Sequence, residues 1–196
     1  MRYTKDHREN TYKRIVDVAS QRFRKDGIQA VGIAGLMSEA GLTHGGFYSH
    51  FKSKEDLAIK AISQALTDTL SVLEGYAEEN NGGLQALISA YLHPVHREAP
   101  EKGCAIAAIG PELSRRPKAS QQVISGKIEQ FFGLIERHLP RTWGAEKRHR
   151  TAVSIFSLMV GALQVSRMMR DGKQRDAVLK DGIEAALALA EISPKG

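Results

Sequence analysis

From Tyr12 to Leu189 the apolar residues recur three or four positions apart and nowhere alternate as a half-buried strand would. That spacing confines the chain to an all-α fold. Tyr12, Ile15, Val16, Ala19 and Phe23 mark a first helix over 7–26, which Gly27 ends, and a short second helix covers 33–40. Gly41-Leu42-Thr43 makes a tight turn, with Thr43 placed to cap a third short helix over 44–50. Ser53-Lys54-Glu55-Asp56 reads as the capped start of a long helix whose apolar stripe runs from Leu57 to Leu73. Later helices are predicted over 84–98, 104–115, 117–138, 146–171 and 174–192, about nine in all, with kinks or breaks expected at Pro94 and Pro111. Two units follow from this layout: a three-helix N-terminal unit over 1–53, and a larger helical domain over 54–196 that 54–75 links to it.

A helix, a glycine-containing turn and a second short helix rich in small and polar residues form the helix-turn-helix arrangement, whose second helix enters the major groove. The pattern is sharpened by the string Gly41-Leu42-Thr43-His44-Gly45-Gly46-Phe47-Tyr48-Ser49-His50-Phe51-Lys52-Ser53-Lys54-Glu55-Asp56-Leu57. It resembles the signature of the TetR family (TetR/AcrR regulators): a Gly-aliphatic turn, a Tyr-x-His-Phe segment, and a Lys-x-Lys-Glu-x-Leu start to the next helix. The resemblance implies DNA contact by Thr43, His44, Gly45, Tyr48, His50 and Lys54, which occupy matching positions.

The residue chemistry agrees with that implication. Gly45 and Gly46 let backbone N–H groups approach phosphate, helped by the positive helix end. Tyr48 offers a hydroxyl to phosphate and a ring to a thymine methyl, His50 and Lys54 suit phosphates, and Thr43 and His44 lead toward base edges. The plainer alternative for His50 is a helix cap, and for Tyr48 simple packing. Phe47 and Phe51 are expected in the small core with Phe23, Leu36 and Leu57. The string departs from the family pattern where Gly32 and Gly35 stand at the start of helix two; many relatives have Ser or Thr and then Asp there. An interior glycine weakens that helix by roughly 1 kcal/mol. Residues 1–60 hold eleven Lys and Arg against seven Asp and Glu, so most of the net charge of +6 lies there. Arg2, Lys5 and Arg8 either reach phosphate or the minor groove or form a solvated tail.

In the larger domain, Ile155, Leu158, Met159, Ala162, Leu163 and Val165 on one helix and Ile183, Ala186, Leu187 and Leu189 on the next offer more apolar face than one domain uses. By the resemblance these last two helices form a homodimer, with Gly161 and Ala162 permitting close approach, and two copies read a palindromic double-stranded DNA operator. The resemblance also implies a small-molecule effector pocket in the central helices; candidate lining residues are Tyr91, Phe131, Phe132, Phe156, Met159 and Met168, and ordinary core is the alternative for each. Cys104 stands at a helix start, where a lowered thiol pKa would make a redox sensor, while a buried small hydrophobe is the commoner case.

One cysteine gives no disulfide framework and fits a reducing cytoplasmic setting. The first residues form no signal peptide, and no stretch is expected to span a bilayer. His93 and His96 are three apart, but Pro94 distorts the turn between them, so no metal is expected, and no cofactor either. Gly-rich phosphate loops and nucleophile elbows are missing from the sequence, which argues against an enzyme. The reading is a ligand-responsive regulator, a repressor by the family's usual mode. A helical adaptor that has lost DNA binding is the alternative, and an enzyme with an unrecognised site a more remote one.

Overall fold

In the computed structural model residues 2–192 are described, apart from the side chains of residues 2–6 and 80. The arm contacts expected of Arg2 and Lys5 therefore lie outside the described residues. The described chain contains nine α-helices and no strand: α1 (Arg2–Asp26), α2 (Ile33–Glu39), α3 (Lys54–Glu78), α4 (Gly83–Tyr91), α5 (Pro94–Glu98), α6 (Ala105–Leu113), α7 (Lys118–Arg137), α8 (Ala145–Met168) and α9 (Gly172–Leu189). Short 3-10 segments cover His44–Ser49, Glu79–Asn81 and Pro100–Lys102.

Helix α3 is the spine. Its apolar stripe, Leu57, Ala61, Ile62, Ala65, Leu66 and Leu73, is buried, and it packs against α1 at one end and against α4 and α7 further along. Its start is capped as the sequence implies, with Ser53 Oγ accepting from Asp56 N–H at 3.1 Å. Asp56 in turn accepts from Lys52 N–H at 3.0 Å, one residue ahead of the reciprocal capping-box partner.

Two prolines shape the centre. The helix expected over 84–98 splits into α4 and α5, because Pro94 has no N–H to continue the ladder and sits instead at the first position of α5. Pro111 lies inside α6 and Ile109 before it leaves helical geometry (φ −136°, ψ 25°). The carbonyl of Ala107, four residues before Pro111, has no helical donor to meet it. Arg167 of α8 donates to it at 3.2 Å and also to the carbonyls of His96 (2.8 Å) and Arg97 (3.1 Å), so one guanidinium holds α5 and α6 to α8.

Helices α8 and α9 pair at the end of the chain, and a Cβ on Gly182 would lie 2.9 Å from that of Ala162. The close approach expected of Ala162 between two copies is thus spent within this chain. Helix α8 also corrects the expectation about bilayer length: by length and composition alone it is long and apolar enough to span one. Here its inner face, with Ala152, Ile155, Phe156, Met159 and Leu163, is buried in the fold.

Candidate nucleic-acid interface and effector cavity

The turn after α2 closes through two backbone bonds, Gly41 N–H to Ser38 O (2.9 Å) and Leu42 N–H to Met37 O (2.8 Å). This is the Schellman arrangement, and it needs a left-handed residue, which Gly41 supplies at φ +67°. The chain then enters the reading segment. Thr43 holds the N-cap position in extended geometry, yet its side chain makes no capping bond. The segment is a 3-10 turn of six residues rather than the expected α-helix, so its dipole helps little at a phosphate.

One side of this segment is anchored in the small core. Phe47 and Phe51 are buried with Phe23, Leu36 and Leu57, as expected. Phe51 stacks on Tyr12 of α1 with centroids 5.1 Å apart, and the Lys60 ammonium lies 5.4 Å from the Phe51 ring. Arg22 pins α1 to α2 through Glu39 at 2.6 Å. Arg8 donates to the Ser49 carbonyl at 3.0 Å, so this arm residue braces the end of the reading segment.

The other side is bare. Thr43, His44, Gly45 and Tyr48 are exposed, and Tyr48 keeps 64% of its surface although Phe47 meets its ring edge-on at 5.2 Å. His44 and Tyr48 lie edge to face at 6.3 Å. His50 is half-buried, and burial followed by the nearby Arg8 charge pushes its pKa below the ordinary value. Lys54 is also half-buried, its ammonium donating to the Gln29 carbonyl at 3.2 Å, with burial and then Arg116 lowering its pKa. A phosphate at Lys54 would have to displace that bond. Gly32 caps α2 without a side chain to offer, and a Cβ on Gly32 or Gly35 would meet nothing within 4 Å.

A cavity of about 640 Å³ opens between α3, α4, α5 and the 3-10 segment Pro100–Lys102. Val72, Tyr76 and Val95 form an apolar rim, exposed by 57, 50 and 67%, values high for large apolar side chains. Tyr91, His96 and Gly103 lie deeper. Of the residues expected to line a pocket, Tyr91 lines this one. Phe131, Phe132 and Phe156 pack on each other instead, at 4.8 and 5.8 Å from the Phe156 ring, Met159 is buried, and Met168 is 74% exposed. The sequence reading missed Val72, Tyr76 and Val95; the signal was apolar residues lying off the buried stripe of α3.

His96 spends both ring nitrogens on the backbone: Nδ1 bonds the Tyr91 carbonyl at 2.6 Å, and Nε2 accepts from Cys104 N–H at 2.8 Å. Burial, the largest influence, holds its pKa down to about 4. Cys104 is wholly buried, and burial pushes its thiol up, outweighing any help from the start of α6. That direction is opposite to the one redox sensing needs. Among the described residues no group of three His, Cys, Asp or Glu could hold a metal ion.

A three-element head with its aromatic side buried and its polar side bare defines the class: this is a helix-turn-helix domain. Residues 15–61 match the family model described as "Bacterial regulatory proteins, tetR family". That match runs from the middle of α1 through α2 and the segment His44–Ser49 to the start of α3. The chain is 29% identical over 89 residues to the uncharacterised HTH-type transcriptional regulator YfiR of Bacillus subtilis, covering 45% of this chain and 42% of that one. It is 38% identical over 56 residues to the HTH-type transcriptional regulator AcrR of Shigella flexneri, covering 29 and 26%. The matched stretch thus spans less than half the length of these relatives. The fold extends further: the reduced form of Escherichia coli NemR superposes with a TM-score of 0.75 at 14% identity, over 95% of this chain and 98% of that one. A TetR transcriptional regulator from Legionella pneumophila gives 0.73 at 20% identity, over 88 and 95%.

Proposed function

We propose that this chain is a ligand-responsive transcriptional regulator, acting as a repressor in the cytoplasm, that binds a palindromic operator as a homodimer and is released by a small molecule. The observation that carries this reading is the bare edge of His44 and Tyr48 on a segment whose other side, Phe47 and Phe51, is fixed in the core. Rigid presentation of a few polar side chains is what reading base edges requires. Thr43, His44, Gly45, Tyr48, His50 and Lys54 are the proposed contacts, with Lys54 exchanging its bond to Gln29 for phosphate.

Two further observations support the rest. The rim of Val72, Tyr76 and Val95 around a cavity of about 640 Å³ suits a small, largely apolar effector. Val165, Met168 and Met169 are exposed at the end of α8 and Leu189 near the end of α9, apolar side chains that a second copy would cover. The unit boundary near residue 53 belongs to the same proposal, with α3 linking head and core.

The test is equilibrium binding to duplex DNA across a salt series. Several phosphate contacts should make log K fall steeply with log salt, by about 0.9 per contact. An absence of saturable binding to any duplex would send the chain to the adaptor reading.

A further inference from the structure

We infer that Arg24 and Glu112 are positioning residues that carry the state of the cavity to the reading head, an inference that rests on the regulator reading above. Both reach across the seam between head and core, and both act on the stretch from Ala99 to Leu113 that begins as cavity wall and ends as α6.

The first contact starts in the cavity. Ala99, Lys102 and Gly103 line it, and the Gly103 carbonyl accepts from Arg24 Nη1 at 2.7 Å. Arg24 belongs to the last turn of α1 and is only 8% exposed. Its other partners are Ser20 O (3.0 Å) and Ser20 Oγ (3.1 Å), and no carboxylate lies within ion-pair distance among the described residues. A buried guanidinium held by neutral acceptors is costly, and its depressed pKa, due first to burial, reflects that cost. An apolar side chain would fill the seam more cheaply, so this contact is suited to form and break. Gly103 also lies against His96, another wall residue: a Cβ there would stand 2.2 Å from the imidazole. The path from cavity to α1 is therefore His96, Gly103, Arg24.

The second contact lies at the far end of α6. Glu112 Oε2 accepts from the N–H groups of Ile28 (3.0 Å) and Gln29 (3.2 Å), in the turn between α1 and α2. Gly27 makes the space: its φ is +85°, and a Cβ on it would fall 2.4 Å from Glu112 Oε1. The Gln29 backbone joins this contact to the proposed interface, since its N–H donates to Glu112 and its carbonyl accepts from Lys54 at 3.2 Å. Between the two contacts runs the single helix α6, kinked at Ile109 ahead of Pro111, which joins Gly103 at its start to Glu112 near its end. A ligand that moves Gly103 would pull on Arg24 directly and on the 27–32 turn through Glu112, shifting where α2 begins.

The experiment uses the full chain, a duplex selected by it, and 1-anilinonaphthalene-8-sulfonate as the cavity probe. Duplex affinity is measured with and without saturating probe, and the ratio is the coupling factor, which must be reciprocal for two linked sites. Filling the cavity by Ala90→Trp supplies a probe-free perturbation and should also abolish probe binding there. In the wild-type chain either perturbation should weaken duplex binding about tenfold or more. In Glu112→Gln, Gly27→Ala and Arg24→Met the change should fall below about twofold, while probe affinity without DNA stays within about twofold of wild type. A merely structural role for these residues would not remove coupling while leaving probe affinity in place. Coupling factors in folded variants equal to wild type would overturn the proposal, as would duplex affinity in the wild-type chain indifferent to both perturbations. If the wild-type chain binds no duplex at all, the regulator reading itself fails and the relay falls with it.

Discussion

Replacing Arg167 by Met tests the packing of the central helices, because it keeps the apolar stem and removes the guanidinium. Pro111 leaves the Ala107 carbonyl without a helical donor, and Arg167 serves it together with the carbonyls of His96 and Arg97. The remaining donor to Ala107 is the Gln164 amide at a long 3.4 Å. A buried carbonyl left unmet costs about 1–3 kcal/mol. Burial lowers the Arg167 pKa, so desolvation of the guanidinium offsets part of what its bonds contribute. Water can reach some of the freed carbonyls, and the net loss should be about 2–4 kcal/mol. In a chain of this size about 1 kcal/mol moves the thermal midpoint by roughly 2–4 °C, so a fall of about 5–15 °C is expected. Urea unfolding followed by far-ultraviolet circular dichroism gives the free energy directly. Protomer concentration must be held constant, since self-association would add its own contribution. Arg167→Lys should recover little, because an ammonium cannot reproduce the planar fork that reaches three acceptors. A loss under about 0.5 kcal/mol would refute the claim that this side chain holds α5 and α6 to α8.

Gly35→Ala should stabilise the chain by about 1 kcal/mol in the same unfolding assay, since Gly35 lies in α2 and an added Cβ meets nothing within 4 Å. His96 is held to about 4 in the fold against an ordinary 6.5, so the unfolded chain binds the proton first as pH falls. Its contribution is complete above pH 6.5 and declines toward pH 4 by at most about 3 kcal/mol; the difference in stability between wild type and His96→Gln should shrink over that window. His44→Ala should relax base preference at a cost of about 1–3 kcal/mol in duplex binding, whereas Lys54→Ala should weaken all duplexes alike and reduce the salt slope by about 1.

The reading head was legible because its signals are local. Gly41 supplies the only kind of residue that closes the turn cheaply, Ser53 caps α3, and the spacing of Phe47 and Phe51 gives away the buried side. Pro94 likewise announced a break between α4 and α5. The cavity was not legible, because its wall joins Val72 and Tyr76 of α3 to Val95 and Gly103, residues that only the tertiary fold brings together. Phe131 and Phe156 have the same spacing whether they line a cavity or stack on each other, and the ring geometry shows stacking. At Cys104 the sequence displays the helix start but not the complete burial that raises the thiol pKa. The contacts of Arg24 and Glu112 link residues 79 and 84 positions apart, beyond the reach of any local pattern.

The measurement closest to the central claim is selection of bound sequences by the purified full chain from a pool of random duplex DNA. Enrichment of one palindromic sequence, blurred at particular bases by His44→Ala and bound more weakly throughout by Lys54→Ala, is the outcome expected of a dimeric regulator that reads DNA with the segment from Thr43 to His50. A pool that emerges unenriched at low salt, from protein whose circular dichroism shows it folded, would contradict that claim.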